Sequence, residues 1–203
     1  MSLNNPKYVR VDDELFELNT DFRVAIECDK IARDKTIGDY ERALAFVYKL
    51  YGEKGLNSKH INKLFELGIK YIGFNKKNDD DEVEKKEEKF KLDYEKCEGL
   101  IKSSFKFDYN YDPYNLEYLH WYDFYNDLAN LSTSEFGHCC ILNRVVSTLN
   151  EDVNEIKDDK LRNKIIDAQK ALQKKYCIYE EKQMTKEQEK SANEFYKLLG
   201  IEN

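Results

Sequence analysis

Apolar residues recur at three- and four-residue intervals along most of this chain, and no segment alternates strictly. The pattern therefore predicts helices and no significant sheet. The first stretch, to about Val11, reads as a loose arm. Asn19-Thr20 offers a cap for a helix starting at Asp21, with Phe22, Ile26 and Ile31 as its spaced apolar positions. Gly38 breaks that pattern. Asp39 then caps a second helix carrying Ala43, Leu44, Val47, Leu50 and Tyr51 on one face, and Gly52 and Gly55 end it. Ser58 caps a third, with Ile61, Leu64, Phe65, Leu67 and Ile69 buried and Gly73 as its stop.

After residue 74 the character changes. Lys76-Lys77-Asn78-Asp79-Asp80-Asp81-Glu82 is a charge run followed by a single apolar residue, Val83, which makes residues 75–88 the natural linker. It separates an N-terminal helical unit, 1–74, from a C-terminal unit, 89–203, unless the two close into one continuous domain. The second unit is expected to hold helices near Leu92 to Phe107, Asn115 to Ala129, Ser134 to Leu149 and Asp159 to Tyr176. A last helix starts at the capping-box pattern Thr185-x-x-Gln188 and runs to Leu199. The expected fold is thus all-α, a compact bundle of about seven helices.

Composition supports a packed chain. Its 203 residues include 15 Tyr and 11 Phe, which argues against global disorder although 36% of the residues are charged. Chains of this size bury roughly 70% of their unfolded surface. Only two prolines interrupt it, in keeping with long helices. The formal net charge of -7, with no basic block standing apart, disfavours nucleic acid as a partner, because phosphate contacts supply most of that affinity. No apolar run approaches the length of a membrane span, so a membrane partner is not expected either. Five cysteines without regular spacing read as reduced thiols.

The densest signal is Tyr118-Leu119-His120-Trp121-Tyr122-Asp123-Phe124, which holds the only Trp of the chain. Leu116, Leu119, Phe124 and Leu128 give it a stripe at helical spacing. His120 invites a proton-transfer role, but no acid or nucleophile is spaced to it, and a packed, hydrogen-bonded residue is the preferred reading. Trp121 and Phe124 suit either a partner-helix anchor or the core, and the core is preferred. His138-Cys139-Cys140 invites a metal. Adjacent cysteines on a helix diverge by about 100° and no second pair exists, so core cysteines are the better reading. Asp108-x-Asn110-x-Asp112 starts like a calcium loop, then fails at Pro113 and Leu119, where Gly and Glu are needed. No phosphate-cradling loop is present. No catalytic, cofactor-binding or metal-binding residue is assigned, and an enzyme is not expected.

The order Phe90-Lys91-Leu92-Asp93-Tyr94-Glu95, Ile101, Ser104-Phe105, Phe107-Asp108-Tyr109, Leu119 to Phe124 and Asn143-Arg144 resembles the bacteriophage gene-product-fifteen family of small tail-gene proteins. Asn19-Thr20-Asp21-Phe22-Arg23-Val24 and Leu50-Tyr51-Gly52 resemble its opening half. The sharpest match is the Leu-His-Trp-Trp-x-Phe motif, where Tyr122 replaces the second Trp. A polar turn around Tyr109-Asn110-Tyr111-Asp112 replaces the family's Tyr-Gly-Ile-Asp-Leu. The motif positions singled out are Leu119, His120, Trp121, Tyr122, Phe124 and Arg144, as core or partner-binding residues.

The residues alone leave two readings open: a monomer with an all-α core, or a protein whose amphipathic helices bind other helices or its own copies. The resemblance implies the second. It implies a non-enzymatic tail assembly chaperone that needs no cofactor, binds the tape-measure protein and other tail proteins, and works in the cytoplasm of the bacterial host. Such a protein is not expected in the mature virion. The alternative is a minor structural component of the tail, and a small enzyme is a third and weaker reading.

Overall fold

The computed structural model describes residues 5–73, 91–133 and 139–178. The charged stretch 75–88, His138 and the expected helix from Thr185 to Leu199 lie outside these residues. The described residues form a predominantly helical fold with seven α-helices and one small hairpin, β1 (Tyr8–Val11) and β2 (Glu14–Glu17). The helices are α1 (Phe22–Arg33), α2 (Asp39–Leu56), α3 (Ile61–Ile72), α4 (Glu98–Tyr109), α5 (Trp121–Ala129), α6 (Ile141–Asn150) and α7 (Asp159–Tyr176).

The hairpin departs from the loose arm expected up to Val11. Val9 pairs with Phe16 and Val11 with Glu14 in antiparallel register, and Asp12 turns the corner at φ 51°. Val11 and Phe16 are fully buried, which seals the hairpin onto α2 and α3. Strands of four residues carry too few alternations to stand out from a helical background.

Helices α1, α2 and α3 pack in sequence order. Asp21, rather than Asn19 or Thr20, caps α1, its side chain accepting from the Arg23 N–H. Gly38 is the N-cap of α2, one residue before the expected Asp39. At Gly52 the α2 backbone leaves helical geometry, at φ 67° and ψ −160°, and a last turn continues to Leu56. Only glycine adopts that conformation at no steric cost. His60 is the N-cap of α3, while the hydroxyl of Ser58, two residues earlier, accepts from the His60 N–H.

In the second half, α4 starts at Glu98 rather than Leu92. Lys91–Asp93 instead runs extended beside the end of α7: Asp93 N–H donates to the Tyr176 carbonyl at 2.9 Å and Ile178 N–H to the Lys91 carbonyl at 2.9 Å. Likewise α5 starts at Trp121, not Asn115. Leu116 and Leu119 lie in an extended connection that follows a short 3-10 turn at Pro113–Asn115. Helix α6 begins at Ile141, and α7 spans the expected residues.

One hydrophobic core joins the two halves. It includes Phe22, Phe46, Leu50 and Leu64 from the first and Ile101, Phe105, Trp121, Phe124 and Leu142 from the second. Buried polar groups tie the second half together. The Ser104 hydroxyl, fully buried on α4, accepts from the Leu142 N–H in the first turn of α6 at 3.1 Å. The Asp108 carboxylate accepts from the Ser132 N–H and hydroxyl, each at 2.7 Å, and the Asn143 amide donates to the Leu131 and Ser132 carbonyls. Each satisfies a backbone group that has no partner in regular structure.

Candidate functional site

The motif residues gather where two helices begin side by side. Asp21 and His120 form an antiparallel bridge: Trp121 N–H donates to the Thr20 carbonyl at 2.8 Å, and Phe22 N–H to the Leu119 carbonyl at 3.0 Å. Asp21 caps α1 and His120 caps α5, so one bridge sets both helix starts. The Thr20 and Tyr118 hydroxyls share a hydrogen bond of 2.6 Å, and the Arg23 guanidinium donates to the Leu116 carbonyl. Asn19 N–H reaches the Leu50 carbonyl at 2.8 Å, two residues before the Gly52 kink. Three stretches far apart in sequence, 19–24, 50–52 and 119–124, thus form one joint.

His120 is buried and has a defined role there. Its Nδ1 accepts from the Tyr122 N–H at 3.0 Å, and its Nε2 lies 3.5 Å from the Pro6 carbonyl. Both contacts fit the neutral tautomer with the proton on Nε2. Burial pushes the imidazole pKa below its ordinary value, outweighing the Pro6 carbonyl and the Asp123 carboxylate, which favour the charged form. The sign follows. The unfolded chain takes up a proton at the ordinary histidine pKa of about 6.5 and the folded chain only at lower pH. The folded chain is therefore penalised progressively as pH falls below about 6.5, through the lowered folded value. Comparing the urea midpoints of wild type and His120→Asn at pH 7.5 and 5.5 checks this. Asn keeps a cap acceptor, so the variant is expected to fold and to lose part of the acid-side decline. An identical decline in both proteins would refute it.

Behind the joint the aromatic rings close into a stack. Phe124 lies 4.3 Å from Phe22, 5.5 Å from Phe105 and 5.9 Å from Trp121, ring centre to ring centre, all three stacked on it at small interplanar angles. Tyr122 stacks on Tyr71 of α3 at 5.2 Å. Leu119 is partly buried against the same core. Trp121 is 2% exposed, and its indole N–H has no acceptor among the described residues. Arg144 stands apart, exposed on α6. Its neighbour Asn143 makes the contacts to the 131–132 segment. Ser104 and Asp108, which hold that region together, are functional only in a structural sense, and their signal was a polar residue within an otherwise apolar helical stripe.

Beside the stack lies an open groove of about 610 Å³ between α1, α3, α5 and α6. Its surface is mainly apolar, from Ala32, Ile72, Leu92, Tyr125, Leu128 and Val146, with Trp121 contributing one wall and Asp29 and Lys91 at the edge. Asp29 pairs with Arg33 at 2.8 Å and with Lys91 at 3.4 Å, so the edge is locally neutralised.

The other sites weighed from sequence have ordinary occupants. Asp108 binds Ser132, Asn110 adopts φ 58° at the end of α4, and Asp112 caps the 3-10 turn, so the three do not converge on an ion. Cys140 caps α6 through its sulfur, and burial pushes the Cys28 and Cys97 thiols up to about 12. Among the described residues no three His, Cys, Asp or Glu side chains gather as a metal site. No helix among them is long and apolar enough to cross a membrane.

A family model described as Bacteriophage Gp15 protein matches residues 3–176. The chain belongs to this bacteriophage family. The match takes in the joint, the aromatic stack and every element from β1 to α7, and it stops at the last residue of α7. No curated protein and no solved structure matches the chain.

Proposed function

We propose that this Gp15 family protein is a non-enzymatic chaperone of phage tail assembly. It binds the tape-measure protein in the host cytoplasm before the tail tube polymerises, and it is absent from the mature virion. The observation that supports this reading is the apolar groove opening beside the Leu119–Phe124 stretch, in a chain of the bacteriophage Gp15 family. A groove walled by helices and floored with aliphatic and aromatic side chains suits one face of an amphipathic helix. The rigid joint at Asp21–His120 holds α1 and α5 at fixed spacing, so the groove is formed before a client arrives. Covering the apolar length of the tape measure keeps it soluble. Tube subunits that bind it more tightly displace the chaperone, and no nucleotide is consumed.

Apolar contact strengthens with area removed from water and does not require an ion, so the complex is expected to survive chelator and high salt. Acidic steering toward a basic client would change only the association rate. Co-expression with the tape-measure protein, then pull-down in chelator at low and high salt, tests the reading. A client no more soluble with the chaperone than without it, or a complex lost on adding chelator, contradicts it. Mass spectrometry of purified virions separates the alternative: a minor structural component of the tail would be present, a chaperone absent.

A further inference from the structure

Charge is spread unevenly over this molecule. The chain has a net charge of -7, yet α7 holds six Lys or Arg against two Asp. No residue of α7 is buried, and the helix packs on α6 and on the 3-10 turn at Val153–Glu155. Gln169 marks its inner side, the amide donating to the Thr148 carbonyl at 3.0 Å and to the Glu151 carbonyl at 2.9 Å. Lys160, Lys164, Ala171 and Lys174 share the opposite side by their helical spacing, with half-exposed Leu161 along its edge and Asp167 as its one acid. The ammonium groups of Lys160, Lys164 and Lys174 have no hydrogen bond or ion pair among the described residues. This side of α7 is thus a basic surface on an otherwise acidic molecule.

Its complement lies over the kink in α2. An open pocket of about 670 Å³ is lined by Glu17 of β2, Glu53 of α2 and the half-exposed rings of Tyr48 and Tyr118. Neither carboxylate has a hydrogen bond or ion pair among the described residues, whereas Lys49, in the same lining, is paired with Glu27. Gly52 leaves the pocket bare, since a Cβ there would meet nothing within 4 Å. Free carboxylates attract an ammonium group by charge, and tyrosine faces attract it through the ring quadrupole. We propose that the basic side of α7 in one copy docks over this pocket in a second copy, with the lysines of its first two turns meeting Glu17 and Glu53. Both halves of the complementary pair are present on this one chain, in equal number, which is what favours a second copy as the occupant. The hairpin and α2 carry one half and α7 the other, so the contact is head to tail, and it closes into a ring or extends as a chain. None of these residues lines the apolar groove. The inference therefore stands or falls apart from the proposed chaperone role.

Sedimentation velocity on the full chain tests this. At about 0.05 M salt the weight-average mass of wild type is expected to rise with protein concentration, and at about 0.5 M association is expected to be at least about tenfold weaker, because exposed charges are then screened. Lys160→Glu/Lys164→Glu and Glu17→Lys/Glu53→Lys are each expected to weaken association at low salt by at least about tenfold. All four side chains point to solvent, and acid near the start of α7 suits the helix dipole, so far-UV circular dichroism is retained in both variants. An equimolar mixture of the two variants is expected to recover association, because the first keeps the pocket and the second keeps α7. Three results overturn the proposal: a wild type that is monomeric at low salt, association that either variant leaves unchanged, or a mixture that associates no better than its components.

Discussion

Phe124→Ala is expected to lower the unfolding free energy by about 4 kcal/mol, in the middle of the range for a buried Phe. Phe124 is fully buried and stacks with three aromatic rings, Phe22 of α1, Phe105 of α4 and Trp121 of its own helix. Removing the ring leaves a cavity bounded by α1, α4 and α5, and the Asp21–His120 bridge ties the starts of α1 and α5 at their present spacing. The transfer loss and the unrelaxed cavity therefore add. In a chain of this size 1 kcal/mol shifts Tm by about 2–4 °C, so a fall of roughly 12 °C is expected. Phe22→Ala should cost a similar amount, and the double variant should cost less than the sum by about 1 kcal/mol, because the two cavities share a wall. Thermal melts of the four proteins measure this directly. A Phe124→Ala chain that melts within two or three degrees of wild type would mean that the stack relaxes freely.

The helices that were legible in the sequence are those whose identity depends on local pattern. α7 carries its own cap, Asp158, and an uninterrupted helix-forming run, and its limits coincide with expectation. α1 and α3 have apolar residues on one side and simple ends. What local pattern does not encode is competition between helix and distant partners. Leu116 and Leu119 have helical spacing with Leu128, yet their carbonyls serve Arg23 and the Phe22 N–H of α1, and His120 caps the helix that starts after them. Leu92 has the same history: its neighbours pair with the end of α7, eighty-odd residues on in sequence, and α4 starts later as a result. The candidate site was legible in part. Its residues stood out as an aromatic cluster and through the family resemblance. That Asn19–Val24, Leu50–Gly52 and Leu119–Phe124 meet in one joint is a long-range fact that periodicity does not carry. Arg144 was singled out by the resemblance, whereas Asn143 beside it makes the contacts.

Gly68→Leu is expected to be the most damaging single change among the helix surfaces, at about 3 kcal/mol. Two effects oppose each other at this residue. Glycine inside a helix is worse than alanine by roughly 1 kcal/mol, so any side chain gains on propensity. Against that, a Cβ at Gly68 of α3 would clash with Phe46 Cε1 and lie 2.9 Å from Leu50 Cδ2 and 3.0 Å from Phe46 Cζ, all in the buried face of α2. The Phe46 ring cannot turn away, because it is fully buried and packed edge-on against Phe65 at 4.9 Å. A leucine adds three further carbons to a site with no room for the first, so α3 must move off α2, and overpacking outweighs propensity. Gly68→Ala should fall between, a loss of about 1 kcal/mol once the propensity gain is subtracted. Gly99 is the control. It is exposed in the first turn of α4, and a Cβ there meets nothing within 4 Å. Gly99→Ala is expected to stabilise by about 0.5 kcal/mol. Urea midpoints at unchanged slope measure all three. If Gly68→Ala stabilised the protein as much as Gly99→Ala, the close approach of α2 and α3 would not exist in solution, and the wall that α3 gives the groove would have to be redrawn.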